Sequence, residues 1–334
     1  MEAAHRGVEG GAPIGVFCKE EKVLRGGNVY DRYLLEYLRR RGLGEAILIR
    51  GCAQGPCRRL RYFLKCHGVR GERRLYIEDP RSLAANYGQR SRPAILLVHN
   101  LPGSRLQDRT FGRFLTWRMR SHLRRVAAIV VESHWYRDIF RHWYAGDIRV
   151  IHSPFNLETY NLAPFDAAAF RARLGLDARP IIYLGPRRRE KGVVETARSL
   201  RQLKGVQLVT SGGGDVDAPT IHLALGFEDY LRLLSLATVT VLLSREAEGW
   251  PRVAHESLLM GTPVIGNRAG GLGELLEGGA QALCESPGDL PGLVQKTVFA
   301  GRRAAPESVA WSRSFDVERF ESAWGRLFSD LGVG

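Results

Sequence analysis

The 334 residues exceed what one hydrophobic core comfortably serves, so two domains are expected. Hydrophobic residues at 44% and charged residues at 25% exclude a disordered or fibrous chain, and the lack of any run of about 18 apolar residues excludes a membrane-spanning helix. The net charge of +14 is one-sided: residues 1–165 hold 29 Lys and Arg against 15 Asp and Glu, whereas residues 166–334 hold 20 of each.

That asymmetry predicts an anionic partner for the first half, and a general preference for arginine competes with it, since only six of the 49 basic residues are lysines. The opening MEAAHRGVEGGAP has no apolar signal stretch, which predicts a cytosolic chain. Cys18, Cys52, Cys57, Cys66 and Cys284 are odd in number and follow no Cys-x-x-Cys spacing. Buried reduced thiols are expected, not a disulfide framework or structural zinc.

In chain order, IGVFC (14–18), EAILIRG (45–51), LYIED (75–79), AILLV (94–98), AAIVV (127–131) and IRVIH (148–152) predict strands. Between the first two, Tyr30, Tyr33, Leu34, Tyr37 and Leu38 recur at helical spacing, and Gly42 predicts the left-handed residue that ends that helix. A second series follows with IIYLG (181–185), VQLVTS (206–211), VTVLLS (239–244) and TPVIGN (262–267), again separated by helical segments. Alternation of strand and helix predicts an α/β protein: two Rossmann-like domains with parallel sheets facing across an inter-domain cleft. The expected division is 1–165, 166–310 and a C-terminal segment 311–334, whose amphipathic FDVERFESAWGRLFSDL is expected to pack back across the domain boundary.

Ligands of open parallel sheets bind beyond the carboxyl ends of the strands, so the loops there are the candidate site. Gly26-Gly27 before a helix lets backbone come close to a phosphate, or simply makes a tight turn. His99, directly after AILLV, is placed to hydrogen-bond a hydroxyl or a developing charge in the cleft, with a structural histidine as the alternative. YLGPRRREKG sets Arg187 and Lys191 ahead of a helix start, a pattern suited to a diphosphate, while Arg188 and Arg189 are left to solvent. Asp215-Val-Asp217 after three glycines has the form of a metal-binding DxD, but carboxylates beside glycines are common in plain turns, so no metal site is expected.

SREAEGWPRVAHESLLMGTPVIGN places Glu248 in the loop after a strand and Glu256 about one and a half turns into the helix that Pro251 opens. One carboxylate can meet one end of an elongated ligand and the second its far end, with the amides of roughly Trp250 to Val253 aimed at an anionic middle. A nucleoside-diphosphate sugar has that layout.

EGWPRVAHESLLMGTPVIGNRAGGLGE resembles the E-x7-E signature of the retaining glycosyltransferases of family 4, which have the GT-B fold. LGFEDYLRLLSLATVTVLLS, YLGPRRREKG, VVESHWYRDIF…IRVIHSPFNLETY and RGGNVYDRYLLEYLRRRG resemble that family's other segments in the same order, over roughly residues 25–330. The resemblance implies metal-independent transfer of a sugar from a nucleoside-diphosphate donor with retention, needing no cofactor. By position it implies that Glu256 binds the donor ribose, Lys191 and Arg187 the diphosphate, and Glu248 the transferred sugar, with Gly249 and Trp250 lending backbone to it and Val253 on the amide-bearing turn. Gly27 would border the phosphates, and His99 would lie near the reacting centre.

The chain departs from the pattern at Pro186, where an arginine is usual, at Pro251 for a glycine, and at His152-Ser153-Pro154 and Asn156. In the resemblance the first domain takes the acceptor: a sugar, glycolipid or glycan, anionic on the charge argument. TFGRFLTWRMRSHLRRV (110–126) places Phe111, Phe114, Leu115 and Trp117 among five arginines, which suits either peripheral contact with an anionic membrane or an ordinary half-buried helix. Competing functions are an epimerase or phosphorylase on the same plan, and an anion-binding protein built on a degenerate transferase. No nucleic acid is expected, because no stacking array or recognition motif is visible.

Overall fold

Contact density divides the chain into two units, one of residues 1–130, 140–149 and 321–334, the other of residues 131–139 and 150–320. The computed structural model describes residues 14–19, 26–49, 58–68, 74–85, 93–101 and 109–333; Cys52 and Cys57 lie outside the described residues. The division gives 150–165 to the second unit, where the sequence pattern gives them to the first, and it gives only 321–334 of the C-terminal segment to the first.

The first unit runs β1 (Ile14–Lys19), α1 (Gly26–Arg40), β2 (Gly44–Ile49), α2 (Arg58–Gly68), β3 (Tyr76–Glu78), α3 (Pro80–Ala85), β4 (Ala94–Val98), α4 (Arg109–His122), β5 (Val126–Val131) and β6 (Asp147–Val150), while α5 (His134–Arg141), between the last two strands, falls mostly to the second unit. Its parallel sheet has the order β2-β1-β3-β4-β5-β6, so the direction of strand addition reverses between β1 and β3. Tyr30, Leu34 and Leu38 recur every fourth residue along α1 and are fully buried. The helix ends as its sequence predicts. Gly42 takes φ 65°, its N–H reaches the Arg39 carbonyl at 3.1 Å, and the Leu43 N–H reaches that of Leu38 at 2.9 Å.

The second unit runs α6 (Ala167–Arg173), β7 (Ile181–Tyr183), α7 (Val193–Leu200), β8 (Gln207–Ser211), β9 (Ile221–Leu223), α8 (Phe227–Leu236), β10 (Val239–Leu242), α9 (Arg252–Leu259), β11 (Val264–Gly266), α10 (Gly271–Gly278), β12 (Ala282–Leu283), α11 (Leu290–Ala300) and α12 (Pro306–Arg313). The order β12-β11-β10-β7-β8-β9 reverses between β7 and β10, whose carboxyl ends therefore flank the switch point where ligands of such sheets bind. Alternation along β7 sends Ile181 and Tyr183 into a core with α8, α9 and α10, and Ile182 into a second core with α7 and α11. Every strand read from the sequence is present; β9 and β12, three and two residues long, are too short to leave a periodic signal. The C-terminal helix α13 (Val317–Asp330) buries Trp324, Leu327 and Phe328, and Phe328 stacks on Tyr37 of α1 with centroids 6.5 Å apart. Cys18, Cys66 and Cys284 are buried.

Candidate functional site

The switch point of the second sheet is built by two loops that touch. After β7 the chain passes Gly185, which takes φ 76°, and forms a tight 3-10 turn at Arg189–Lys191 before α7. Gly192 closes that turn at φ 62°, where a Cβ would stand 2.2 Å from the Leu243 carbonyl oxygen just past β10. Only glycine allows this approach. The approach brings the Arg245 N–H to the Glu190 carbonyl at 2.9 Å, and the Lys191 ammonium to Glu248 Oε2 at 2.5 Å.

Glu248 is held from three directions. Its Oε1 accepts a short hydrogen bond from the Ser244 hydroxyl, and its side chain is 11% exposed. Its backbone bridges to Gly270: the Glu248 N–H reaches the Ala269 carbonyl at 3.1 Å, and the Gly271 N–H reaches the Glu248 carbonyl at 2.8 Å. Gly270 lies at φ 66° with Glu248 backbone atoms 2.6 and 2.7 Å from where its Cβ would be. Asn267 Nδ2 donates to the Ser244 carbonyl at 2.8 Å, tying the same loop to the end of β11. Thus three strand ends, those of β7, β10 and β11, converge on one carboxylate–ammonium pair.

Glu256, one and a half turns into α9, is buried. Tyr230 donates to its Oε2 at 2.8 Å and Tyr160 to its Oε1 at 3.3 Å, while Arg252 pairs with Oε1 at 3.3 Å. Burial first, and then the Glu256 charge, push the Tyr230 phenol well above its ordinary pKa, so it stays protonated and donating. Arg252 also donates to Ser153 Oγ and the Pro154 carbonyl, and lies 4.2 Å over the Phe155 ring. Both carboxylate oxygens have partners, yet a carboxylate has about four lone-pair sites, so acceptor capacity is left.

Between the two glutamates, the Trp250 side chain belongs to the core. Its Nε1–H donates to His255 Nδ1 at 3.1 Å and its ring stacks on Phe315. His255 in turn donates Nε2–H to the Ser312 carbonyl at 2.8 Å and stacks on Phe155 at 4.0 Å. Those two bonds fix one neutral tautomer, and burial lowers the pKa of His255 to about 3. The anchored Trp250 fixes where the helix starts. Among the described residues the amides of Gly249, Trp250 and Val253 make no backbone hydrogen bond: that of Val253 lies in the open first turn of α9, and the other two just precede it.

The remaining predicted residues fall elsewhere. Arg187 turns its guanidinium toward β8 and β9, donating to Thr210 and Thr220 hydroxyls, the Thr220 carbonyl at 2.6 Å and Asp217 at 3.1 Å. Gly214 packs on the Arg187 carbonyl, 2.3 Å from where its Cβ would be, and Asp215 accepts from the Arg189 N–H. The two aspartates of the DxD-like turn therefore brace the arginine loop. Gly27 lies in the first turn of α1 in the other unit. His99 is in that unit too, with Nε2 2.8 Å from Asp31 Oδ1 and its ring edge-on to Tyr30 at 5.1 Å. Ser244, Tyr160, Tyr230, Arg252 and Gly270 were not singled out by sequence reasoning. Of these, Ser244 alone left a signal, as the last residue of a predicted strand.

A second cluster lies beside Trp250. His134, His152 and Glu274 are the one trio among the described residues whose ligand atoms all come within 4.8 Å of one another. His152 Nε2 is 2.9 Å from Glu274 Oε1, and the His134 amide donates to Oε2 at 2.6 Å. Burial raises the Glu274 pKa, but the His152 hydrogen bond and charge outweigh it and leave the carboxyl below its usual range.

Comparison with known proteins is consistent with this geometry. The family model described as glycosyl transferases group 1 matches residues 178–300, which take in β7 to α11 and every residue of the Lys191–Glu248 and Glu256 groups except Tyr160 and the segment Ser153–Phe155. D-inositol 3-phosphate glycosyltransferase from Mycolicibacterium gilvum (strain PYR-GCK) is 30% identical over 213 residues, 55% of this chain; the chain spans about half, 48%, of that relative's length. Sucrose-phosphate synthase from Thermosynechococcus elongatus superposes with a TM-score of 0.78 at 20% identity, covering 96% of this chain and 99% of that one. Anabaena Alr3699/HepE in complex with UDP and glucose gives 0.70 at 17%, covering 96% and 100%. The fold is therefore GT-B, and its segment 178–300 carries the pattern of the group 1 glycosyl transferases.

Proposed function

We propose that the chain transfers a sugar from a nucleoside-diphosphate donor to an anionic acceptor, with retention at the anomeric carbon and without a metal. The observation that carries this reading is the Lys191–Glu248 pair at the sheet's switch point, 2.5 Å apart, beside the open amide end of α9. In the proposed complex Lys191 shares its protons between Glu248 and the departing diphosphate, and the amides of Gly249, Trp250 and Val253 add their dipoles. Such preorganised donors are worth several kcal/mol where charge develops. Glu256, held by two phenols and Arg252, offers its remaining lone pairs to the ribose diol. Glu248 orients the hydroxyls of the transferred sugar, and His99, set by Asp31, acts on the acceptor side.

Two further points support the choice of ligands. A protein of the same fold was crystallised with UDP-glucose, which makes UDP-sugars the first donors to try. The name of the curated relative specifies a phosphorylated acceptor, and residues 1–165 carry the whole net charge of +14.

The test is a melting-temperature panel with UDP-, GDP- and ADP-sugars on the wild type and Lys191→Ala. A donor at about a hundred times its Kd adds roughly 2.7 kcal/mol to native-state stability. The expected result is a shift of several degrees with one nucleotide class, lost in Lys191→Ala and unchanged by EDTA. Turnover read by NMR should release product with the donor's anomeric configuration. A chain that melts identically with every donor, or a product of inverted configuration, overturns the proposal.

A further inference from the structure

Beyond the donor site, we infer that the exposed face shared by α2 and α4 is a docking surface for an anionic lipid bilayer. The inference concerns the first unit alone and does not depend on the donor reading. On α2, Tyr62 and Cys66 are buried, which turns Leu60 and Leu64 outward at 44% and 58% exposure. On α4, Leu115 and Met119 are buried, which turns Phe114 and Trp117 outward at 44% and 63%. The two helices meet through aromatic rings: Phe63 lies 6.4 Å from Phe114, and Phe114 lies 6.2 Å from both Phe111 and Trp117. The result is a continuous apolar strip carried by two helices.

The charge carried by the two helices has one sign. RRLRYFLKCHG and RTFGRFLTWRMRSH contain eight Lys and Arg and no Asp or Glu. Arg61, Lys65, Arg113 and Arg120 are exposed beside the apolar residues. An exposed Trp among arginines, with aliphatic side chains at the same level, matches the interfacial zone of a membrane: apolar groups enter the acyl boundary and cations meet the headgroups. Each cation near an anionic leaflet is worth about 1 kcal/mol. A second copy of the same face is disfavoured, because two all-cationic surfaces repel. A nucleic acid would use the cations and rings but gain nothing from Leu60 and Leu64. Among the described residues no helix is long and apolar enough to cross a membrane, so the contact is with the surface.

The experiment is co-sedimentation of the full chain with vesicles of phosphatidylcholine alone or mixed with phosphatidylglycerol, at low salt and at salt high enough to shrink the Debye length severalfold. Binding should require phosphatidylglycerol and weaken with salt. The pair Leu64→Ser with Trp117→Ser should lower the partition coefficient at least tenfold, and Lys65→Gln with Arg113→Gln roughly thirtyfold, about 1 kcal/mol for each of two cations. Circular dichroism and melting temperature of both variants should match the wild type, so that a lost contact is separated from a lost fold. Failure to bind anionic vesicles at low salt overturns the inference. So does equal partition of the Ser variant and the wild type, since that outcome reveals a general polyanion site that RNA would occupy as well. A wild type that self-associates through this face without lipid overturns it too.

Discussion

Acidification should destabilise the candidate site through His255, and the size of the effect can be worked from its surroundings. The ring accepts from Trp250 at Nδ1 and donates to the Ser312 carbonyl from Nε2, so a second proton would face a donor with a donor. Burial is the main reason that its pKa falls from 6.5 to about 3. Between those values the unfolded chain binds a proton that the native chain refuses, so stability rises with pH across that window. The contribution is fully present above pH 6.5 and is lost as pH falls toward 3. At 1.36 kcal/mol per unit, about 2 kcal/mol is gone at pH 5, and about 5 kcal/mol at pH 3. Urea unfolding at pH 7, 6 and 5, on the wild type and His255→Gln, isolates this group, because other titrations cancel in the difference. Glutamine can accept from the indole and donate to the carbonyl without titrating. The two stability curves should diverge by about 2 kcal/mol between pH 7 and pH 5, and hydrogen exchange of the α9 amides should accelerate only in the wild type. Parallel curves would refute the reasoning, showing that His255 is protonated or solvated in the native state.

Two other predictions follow from the loop geometry. Gly192→Ala forces a Cβ to 2.2 Å from the Leu243 carbonyl at a φ of 62°, so the turn must open; left-handed strain alone costs about 1–2 kcal/mol, and the melting temperature should fall by several degrees together with loss of donor binding by calorimetry. Arg187→Ala and Lys191→Ala should separate in their effect on the donor: the first removes the donor to the Thr220 carbonyl and lowers stability by roughly 1–3 kcal/mol while donor Kd changes less than threefold, and the second raises Kd at least tenfold.

The parts legible in the sequence share a physical cause. Strands buried on both faces appear as short runs such as AILLV and VTVLL, and a parallel sheet puts its loops at one end, so Lys191 and Glu248 can be placed near a ligand before their contact is known. The approach of Gly192 to Leu243 is legible only as a glycine. What stays hidden is where a long side chain turns. Arg187 has the composition of a phosphate ligand, but its direction is set by Thr220 next to β9, a strand too short to recognise. The partners of Glu256 are likewise beyond local pattern: Tyr230 and Tyr160 lie 26 and 96 residues away and reach it only because the sheet and its helices fold them together.

Those hidden partners bear directly on how a donor would be held. A buried carboxylate left bare would shed its charge, because burial disfavours the ionised form. At Glu256 two phenols and Arg252 supply the compensation internally, so on the proposed reading the ribose adds hydrogen bonds to an oriented acceptor and pays no reorganisation of that group. Glu248 differs. Its partner Lys191 is the group proposed to meet the diphosphate, so ammonium and carboxylate wait already paired at 22% and 11% exposure. Lys191 carries three donors, and one held by Glu248 leaves two for phosphate oxygens. Charge at the leaving group would then strengthen bonds from a cation already in place, while Ser244 and the Gly270 backbone keep Glu248 from following it. On the proposed reading the pair would link the sugar end of the donor to its phosphate end through one short contact, and positioning of the transferred sugar and stabilisation of the departing diphosphate would become a single structural requirement.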